Sequence, residues 1–209
     1  MKIRLLVIYL FAVVVKLPAQ GFKQQVQHFI DSVYTTNPAA VGFAVYIDAP
    51  GNSISWSYAV GYSDRETHQK FDPNQPVLTA SNIKPYVAAA ILRLVEQHAL
   101  RLDQPIQKLL TVKTEQLLSG AGYNTKSITL KHLLSHTSGI RDYVDDDYFN
   151  FIDAHKQYEW TRDEQIARAV KAGKPLANPD DTFRYADINY LLLTEVIETS
   201  TKKPFYTAI

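Results

Sequence analysis

The sequence predicts an α+β fold with little sheet and much helix, on three observations. Two runs rich in Val, Ile, Tyr and Trp, Val41–Asp48 and Ser53–Tyr62, flank Ala49-Pro50-Gly51-Asn52, the pattern of a hairpin with a short loop. After residue 62 the apolar residues fall mostly at helical spacing, in segments set off by caps and prolines. The chain has 209 residues, 46% of them hydrophobic, and a net charge of +1, so it can bury a core and is not a disordered tail.

Residues 1–20 have the pattern of a signal peptide. Lys2 and Arg4 form a basic start, Leu5–Val15 an apolar run, and Lys16-Leu17-Pro18-Ala19-Gln20 a break. The run is shorter than the ~20 residues a spanning helix needs, so cleavage is expected beside Ala19 or Gln20 with no stable membrane span afterwards. A secreted or periplasmic location follows as the expectation. The chain has no cysteine, which removes disulfides, thiol nucleophiles and lipid attachment at cysteine together. Its near-neutral charge gives no electrostatic case for nucleic acid.

From residue 21 the elements run in order. Phe22, Val26, Phe29, Ile30 and Val33 keep the spacing of an amphipathic helix that Asn37-Pro38 ends. The hairpin follows, then the polar, turn-rich Asp64–Pro76 and an apolar helical segment, Tyr86–Leu102, broken by Asp103-Gln104-Pro105. Ile106–Leu118 is expected to be a further helix and Ser119–Asn124 a loop. Thr129 can cap a brief helix over Leu130–Ser135, and Thr161-Arg162-Asp163-Glu164 is a capping box opening a helix through Lys171. Asn178-Pro179-Asp180-Asp181 is a turn ahead of a helical Phe183–Ser200. A lone hairpin needs a larger sheet or a helix layer, and the apolar stretch Pro204–Ile209 has no cap or polar tail. Both features suggest that the sheet continues in sequence beyond residue 209.

Several residue groups invite chemistry. Ser81-Asn82-Ile83-Lys84 places a lysine one turn after a serine, close enough for their side chains to meet. At a helix start the Ser81 N–H and the dipole would favour developing negative charge. The pattern alone is weak, since roughly one chance match is expected in a chain of this length. Ser200-Thr201-Lys202-Lys203 is such a match, at a helix end. In Tyr185-Ala186-Asp187, a phenol beside a lysine ammonium can act as a base, while the bland alternative is a core tyrosine with a helix-capping aspartate. His132 and His136 stand four apart, but Leu133 follows the first where a zinc protease needs Glu, so no metal is expected. His136 is expected to shape its loop by hydrogen bonds. Asp142, Asp145, Asp146 and Asp147, with Tyr143 and Tyr148, are expected to form a solvated loop, with the edge of a substrate cleft as the alternative. No Gly-x-Ser-x-Gly elbow and no phosphate loop occur.

Taken together, the motifs resemble the serine beta-lactamase and penicillin-binding-protein superfamily, in the branch that holds class C beta-lactamases, DD-carboxypeptidases and esterases. The resemblance runs through Val41–Val45, Ala59–Asp64, Leu78–Lys84 and Leu94–Glu96 to Leu100–Ile106. Ile128–Ile140 is similar to a family segment almost residue for residue, and Phe183–Asp187 with Asn189–Leu193 matches the second catalytic motif. It implies the N-terminal part of a beta-lactamase/transpeptidase-like fold over residues 21–209: edge strands of an antiparallel sheet and most of a helical domain. It further implies Ser81 as the acylated nucleophile, Lys84 as proton shuttle, Tyr185 as partner base and Asp187 as substrate-binding. No cofactor is implied, and the partner is a small-molecule or peptide substrate: a beta-lactam, a D-Ala-D-Ala-type peptide or an ester.

Four departures from the family pattern stand out. Asp187 replaces the usual Asn of Tyr-x-Asn, Asp180 stands where Gly is common, and Pro85 directly follows Lys84. The third motif, Lys-Thr-Gly or His-x-Gly, would lie beyond residue 209, so the active site is expected to be incomplete within this sequence. Two alternatives to a serine hydrolase therefore stand: a non-catalytic ligand-binding or sensor module of the same fold, and an inactive truncated product.

Overall fold

The computed structural model describes residues 19–209; the expected signal peptide lies almost wholly outside them. Two compact units are parted between Leu78 and Thr79. In the first, helix α1 (Ala19–Thr36) accompanies an antiparallel hairpin of β1 (Gly42–Ala49) and β2 (Ile54–Gly61), with Gly42 opposite Gly61 and Ala49 opposite Ile54. The hairpin turn is the single 3-10 turn Pro50–Asn52, closed by Ser53 in the left-handed region. α1 is tied to the strands by the Tyr58 hydroxyl, which donates to Asp31 at 2.6 Å, and by an edge-on contact of Tyr34 with Phe43. Gly61 is required where β2 ends: its φ is +82°, and a Cβ there would meet the Val41 carbonyl at 2.5 Å.

The second unit is helical. Ala80–Ile83 form a 3-10 turn that runs into α2 (Lys84–Glu96), followed by α3 (Val112–Gly120), α4 (Leu130–Leu134), α5 (Asp146–Ala154), α6 (Arg162–Lys171), α7 (Asp187–Thr201) and α8 (Phe205–Ala208). α7 is the axis of the core, with Ile188, Leu192, Leu193, Val196 and Ile197 all closed off from solvent against α2, α4, α6 and α8. A helix apolar on most of its faces is the one a helical core surrounds. Two polar residues on it are buried and bonded. Asn189 faces the loop after α4, and Glu195 accepts from the Thr111 N–H at 2.6 Å and the Thr114 hydroxyl at 2.9 Å.

Several expectations shift in the structure. Ile106–Leu118 is not one helix: a 3-10 turn at Ile106–Lys108 stops before Thr111, whose hydroxyl caps α3 at the Thr114 N–H while Glu195 takes the Thr111 N–H. The acidic stretch is not simply a solvated loop. Asp145 caps α5 at the Tyr148 N–H and pairs with Arg168, so its last residues begin a helix. The final long helix starts at Asp187, because Phe183–Ala186 are held extended against the loop after α4. Pro85 falls in the first turn of α2, where no intrahelical N–H is needed. No helix among the described residues is long and apolar enough to cross a membrane.

Candidate active site

The Ser81 turn, the start of α2 and the start of α7 meet at one end of the helical unit. Ala80, just ahead of Ser81, sits at φ 44°, a backbone region costly for a residue with a Cβ. Such strain is common where the chain is held for function. The turn then places Lys84 on the same side as Ser81, and Lys84 Nζ donates to Ser81 Oγ at 3.1 Å.

Tyr185 comes from 104 residues further along the chain, with its hydroxyl 2.9 Å from Ser81 Oγ and 3.2 Å from Asp187 Oδ1. Lys84 also forms an ion pair with Asp187 Oδ1, and its ammonium lies 4.9 Å from the centre of the Tyr185 ring. The donors can be assigned throughout. Lys84 carries only donors, and an ionised Asp187 only acceptors. If the Tyr185 hydroxyl gives its proton to Asp187, it accepts from Ser81, and Ser81 in turn accepts from Lys84. All four expected residues therefore come together. Tyr185 is no core tyrosine, being 49% exposed.

Lys84 is held as a cation. Burial pushes its ammonium down, but the hydrogen bond and charge of Asp187, with Tyr185 beside it, outweigh burial and leave its pKa above the ordinary lysine value. The same end of the unit opens into a cleft of about 540 Å³, walled by Ser81, Lys84, Asp187, Tyr143, Trp160 and Tyr206 among others. Tyr143 belongs to the acidic stretch, so that stretch does edge the cleft.

Two residues outside the expected set hold it in place. Asp142 reaches the first turn of α7, accepting from the Asp187 N–H at 2.8 Å and the Ile188 N–H at 3.3 Å, and also from its neighbour Tyr143 at 2.9 Å. Burial raises its pKa, the Asp187 charge adds to that, and the backbone bonds oppose it. His136 does more than shape its own loop: its Nδ1 lies 3.2 Å from the Ala186 N–H donor, and its ring stacks on Tyr185 at 4.5 Å. Neither role shows in the sequence, because the partners are 45 and 50 residues away. His132 is occupied locally, its Nδ1 accepting from the Thr129 N–H to complete a capping box on α4.

Two glycine-like positions explain how the flanking loops close. Gly139 has φ +73°, and a Cβ on it would lie 2.2 Å from the Ala177 carbonyl oxygen. Asp180, where the resemblance leads us to expect Gly, does adopt a left-handed φ of 73° and donates its N–H to the Thr137 carbonyl at 2.9 Å. Aspartate tolerates that region better than most residues.

Comparison with known proteins agrees with this architecture. Esterase EstB of Burkholderia gladioli is 30% identical over 172 residues, 79% of this chain and 43% of that protein. Penicillin-binding protein 4* of Bacillus subtilis is 25% identical over 154 residues, 73% of this chain and 31% of that protein. The chain thus spans less than half the length of these relatives. Among solved structures, a D-stereospecific amidohydrolase from Streptomyces shares the fold with a TM-score of 0.69 at 24% identity, over 88% of this chain and 51% of that one. The model of the Beta-lactamase family matches residues 30–209, and the chain belongs to that family.

Proposed function

We propose that the protein is a serine hydrolase that forms an acyl-enzyme at Ser81. The observation that carries this reading is the hydroxyl of Ser81 held between Lys84 Nζ at 3.1 Å and the Tyr185 hydroxyl at 2.9 Å. With Lys84 held as a cation, the group left to receive the serine proton is Tyr185, whose own proton has Asp187 as its acceptor. Ser81 Oγ attacks the substrate carbonyl carbon, its proton passes to Tyr185 Oη, and the phenol proton moves to Asp187. The Lys84 charge offsets the negative charge that builds up nearby. Collapse of the tetrahedral species breaks the bond to the leaving group, which takes a proton back along the same path. Water then cleaves the acyl–Ser81 ester by the reverse sequence. Acid–base help of this kind is typically worth ~10²–10⁴ in rate.

The acyl donor is a beta-lactam, a D-Ala-D-Ala-type peptide or an ester. Asp187 only accepts hydrogen bonds where the usual motif has an amide that can donate, which favours an ester over a beta-lactam or peptide whose amide carbonyl would take that donor's bond. The proposed setting is outside the cytoplasm, on the basis of the signal-like residues 1–20. One observation favours the sensor alternative: the Lys84–Asp187 ion pair, which denies Lys84 the role of resting base.

A fluorophosphonate probe separates the readings. Wild type is expected to become covalently labelled on Ser81 and Ser81→Ala to stay unlabelled. A folded wild type that takes no label, yet binds penicillin reversibly, would replace the hydrolase with the sensor.

A further inference from the structure

We propose that His136 is a positioning residue for the reaction at Ser81: a neutral imidazole carrying its proton on Nε2 brackets Tyr185 and holds the phenol at the nucleophile. This rests on the acyl-enzyme reading above and adds to it a residue that acts on Ser81 only through Tyr185.

The backbone gives the first reason. α4 ends in a Schellman motif, with the Thr137 N–H bonded to the His132 carbonyl and the His136 N–H to the Leu133 carbonyl. The residue at the left-handed position of that motif is usually glycine; here it is His136, at φ 56°. A side chain kept where the backbone prefers none suggests that the side chain has work to do.

The hydrogen bonds give the second. The His136 carbonyl accepts from the Arg184 N–H at 2.8 Å, and its Nδ1 faces the Ala186 N–H at 3.2 Å, so one residue grips the chain on both sides of Tyr185. The imidazole lies on the Tyr185 ring at 4.5 Å with 27° between planes, and Tyr190 flanks it at 5.1 Å. The tautomer follows from the network. Ser138 Oγ accepts the Ile140 N–H at 3.1 Å and gives its own proton to Asn189 Oδ1 at 2.5 Å. That fixes the buried Asn189 with its NH₂ toward His136 Nδ1, at 3.2 Å. Nδ1 thus faces two N–H donors and can only be an acceptor.

A second proton on the ring would set Nδ1–H against both donors and release Tyr185. The charged and titratable groups around the ring are Lys84 on α2, Asp187, Tyr185 and Tyr190 around the start of α7, and Asp142 on the connecting loop. Burial lowers the imidazole pKa and the Lys84 charge lowers it further, against smaller opposing contributions from the Ala186 contact, Asp187 and Asp142. Since Ala186 presents an N–H to Nδ1, its bond is made by the neutral ring and does not favour the charged one. Neutral His136 is therefore retained into mildly acidic solution.

The test measures the rate of fluorophosphonate labelling of Ser81 in the intact protein, from about pH 5 to 8, for wild type, His136→Gly and His136→Gln. His136→Gly suits the left-handed backbone but leaves the Ala186 N–H and the Asn189 amide without their acceptor, so it is expected to fold with a lowered melting temperature and to label about 10- to 100-fold more slowly. His136→Gln offers an amide oxygen to the Ala186 N–H and should recover part of the rate. It should also lose the acid limb that wild type shows below the ordinary histidine value of about 6.5. Equal labelling rates and equal pH profiles in all three proteins would overturn the proposal, whereas an unlabelled wild type would overturn the acyl-enzyme reading beneath it. If His136→Gly fails to fold, the imidazole nitrogen NMR shifts of wild type decide instead. A neutral Nε2–H ring persisting below about pH 6.5 supports the bracket, and an Nδ1–H ring or an unshifted titration refutes it.

Discussion

At the nucleophile, Asp187 sets the charge state of Lys84. It holds Lys84 as an ammonium and accepts a hydrogen bond from the Tyr185 hydroxyl, both on Oδ1. Asp187→Asn keeps an acceptor for Tyr185 but removes the charge, which leaves burial as the largest influence on Lys84 and pulls its pKa down. In wild type the raised Lys84 pKa contributes stability that is fully present below the ordinary lysine value. That contribution is lost as pH rises through the folded value. In the variant the sign is reversed: the unfolded chain binds the proton more readily, so stability rises as pH climbs from the depressed folded value towards the ordinary lysine value. Wild type should therefore exceed Asp187→Asn by on the order of 2 kcal/mol near neutral pH, between an exposed and a fully buried ion pair. The gap should close as pH approaches and passes about 10.5. Urea unfolding of both proteins across that range is the measurement, and a gap that stays constant with pH would show that Asp187 does not control Lys84.

α7 presents Asp187 in its first turn, and the carboxylate of Asp142 stands where its own N-cap, Ala186, offers no side chain. Asp142→Ala would leave the Asp187 and Ile188 N–H groups without that acceptor. The loss expected from a missing cap is about 1–2 kcal/mol, read as a lower urea midpoint with an unchanged slope, together with slower labelling of Ser81. An unchanged midpoint would mean that water serves as well. The contrast among helix starts shows what the sequence reveals. α4 and α6 were legible because Thr129 and Thr161 cap residues three positions away, and the Ser81–Lys84 pair because it closes within one turn. α5 was hidden in a run of aspartates, and the break before α3 depends partly on Glu195, 84 residues from Thr111. Tyr185 and Asp187 were recognisable by motif, but Asp142 and His136 act on them from another loop. No local pattern encodes that contact.

Over the whole molecule, apolar burial is divided unevenly between the two units. The described residues before Thr79 close off only two hydrophobic side chains, Ile30 and Ile54, whereas the buried cluster of the helical unit extends from Val87 to Phe205 around α7. A two-stranded hairpin is marginal by itself, and among the described residues the strands here have one α-helix, α1, within their unit. Local opening should therefore cost far less in the hairpin than in the helical core. In native-state hydrogen exchange on the 209-residue chain, the amides of Leu192–Ile197 should exchange only through global unfolding and follow its denaturant dependence. Those bonded across β1 and β2 should exchange through openings that are nearly independent of denaturant, at least about 100-fold faster. The site residues belong to the better protected unit, so Ser81 labelling should survive denaturant concentrations at which the hairpin amides already exchange freely. Hairpin amides as slow as those of α7, with the same denaturant slope, would mean that the chain unfolds as one cooperative body and that the hairpin draws its stability from the helical core.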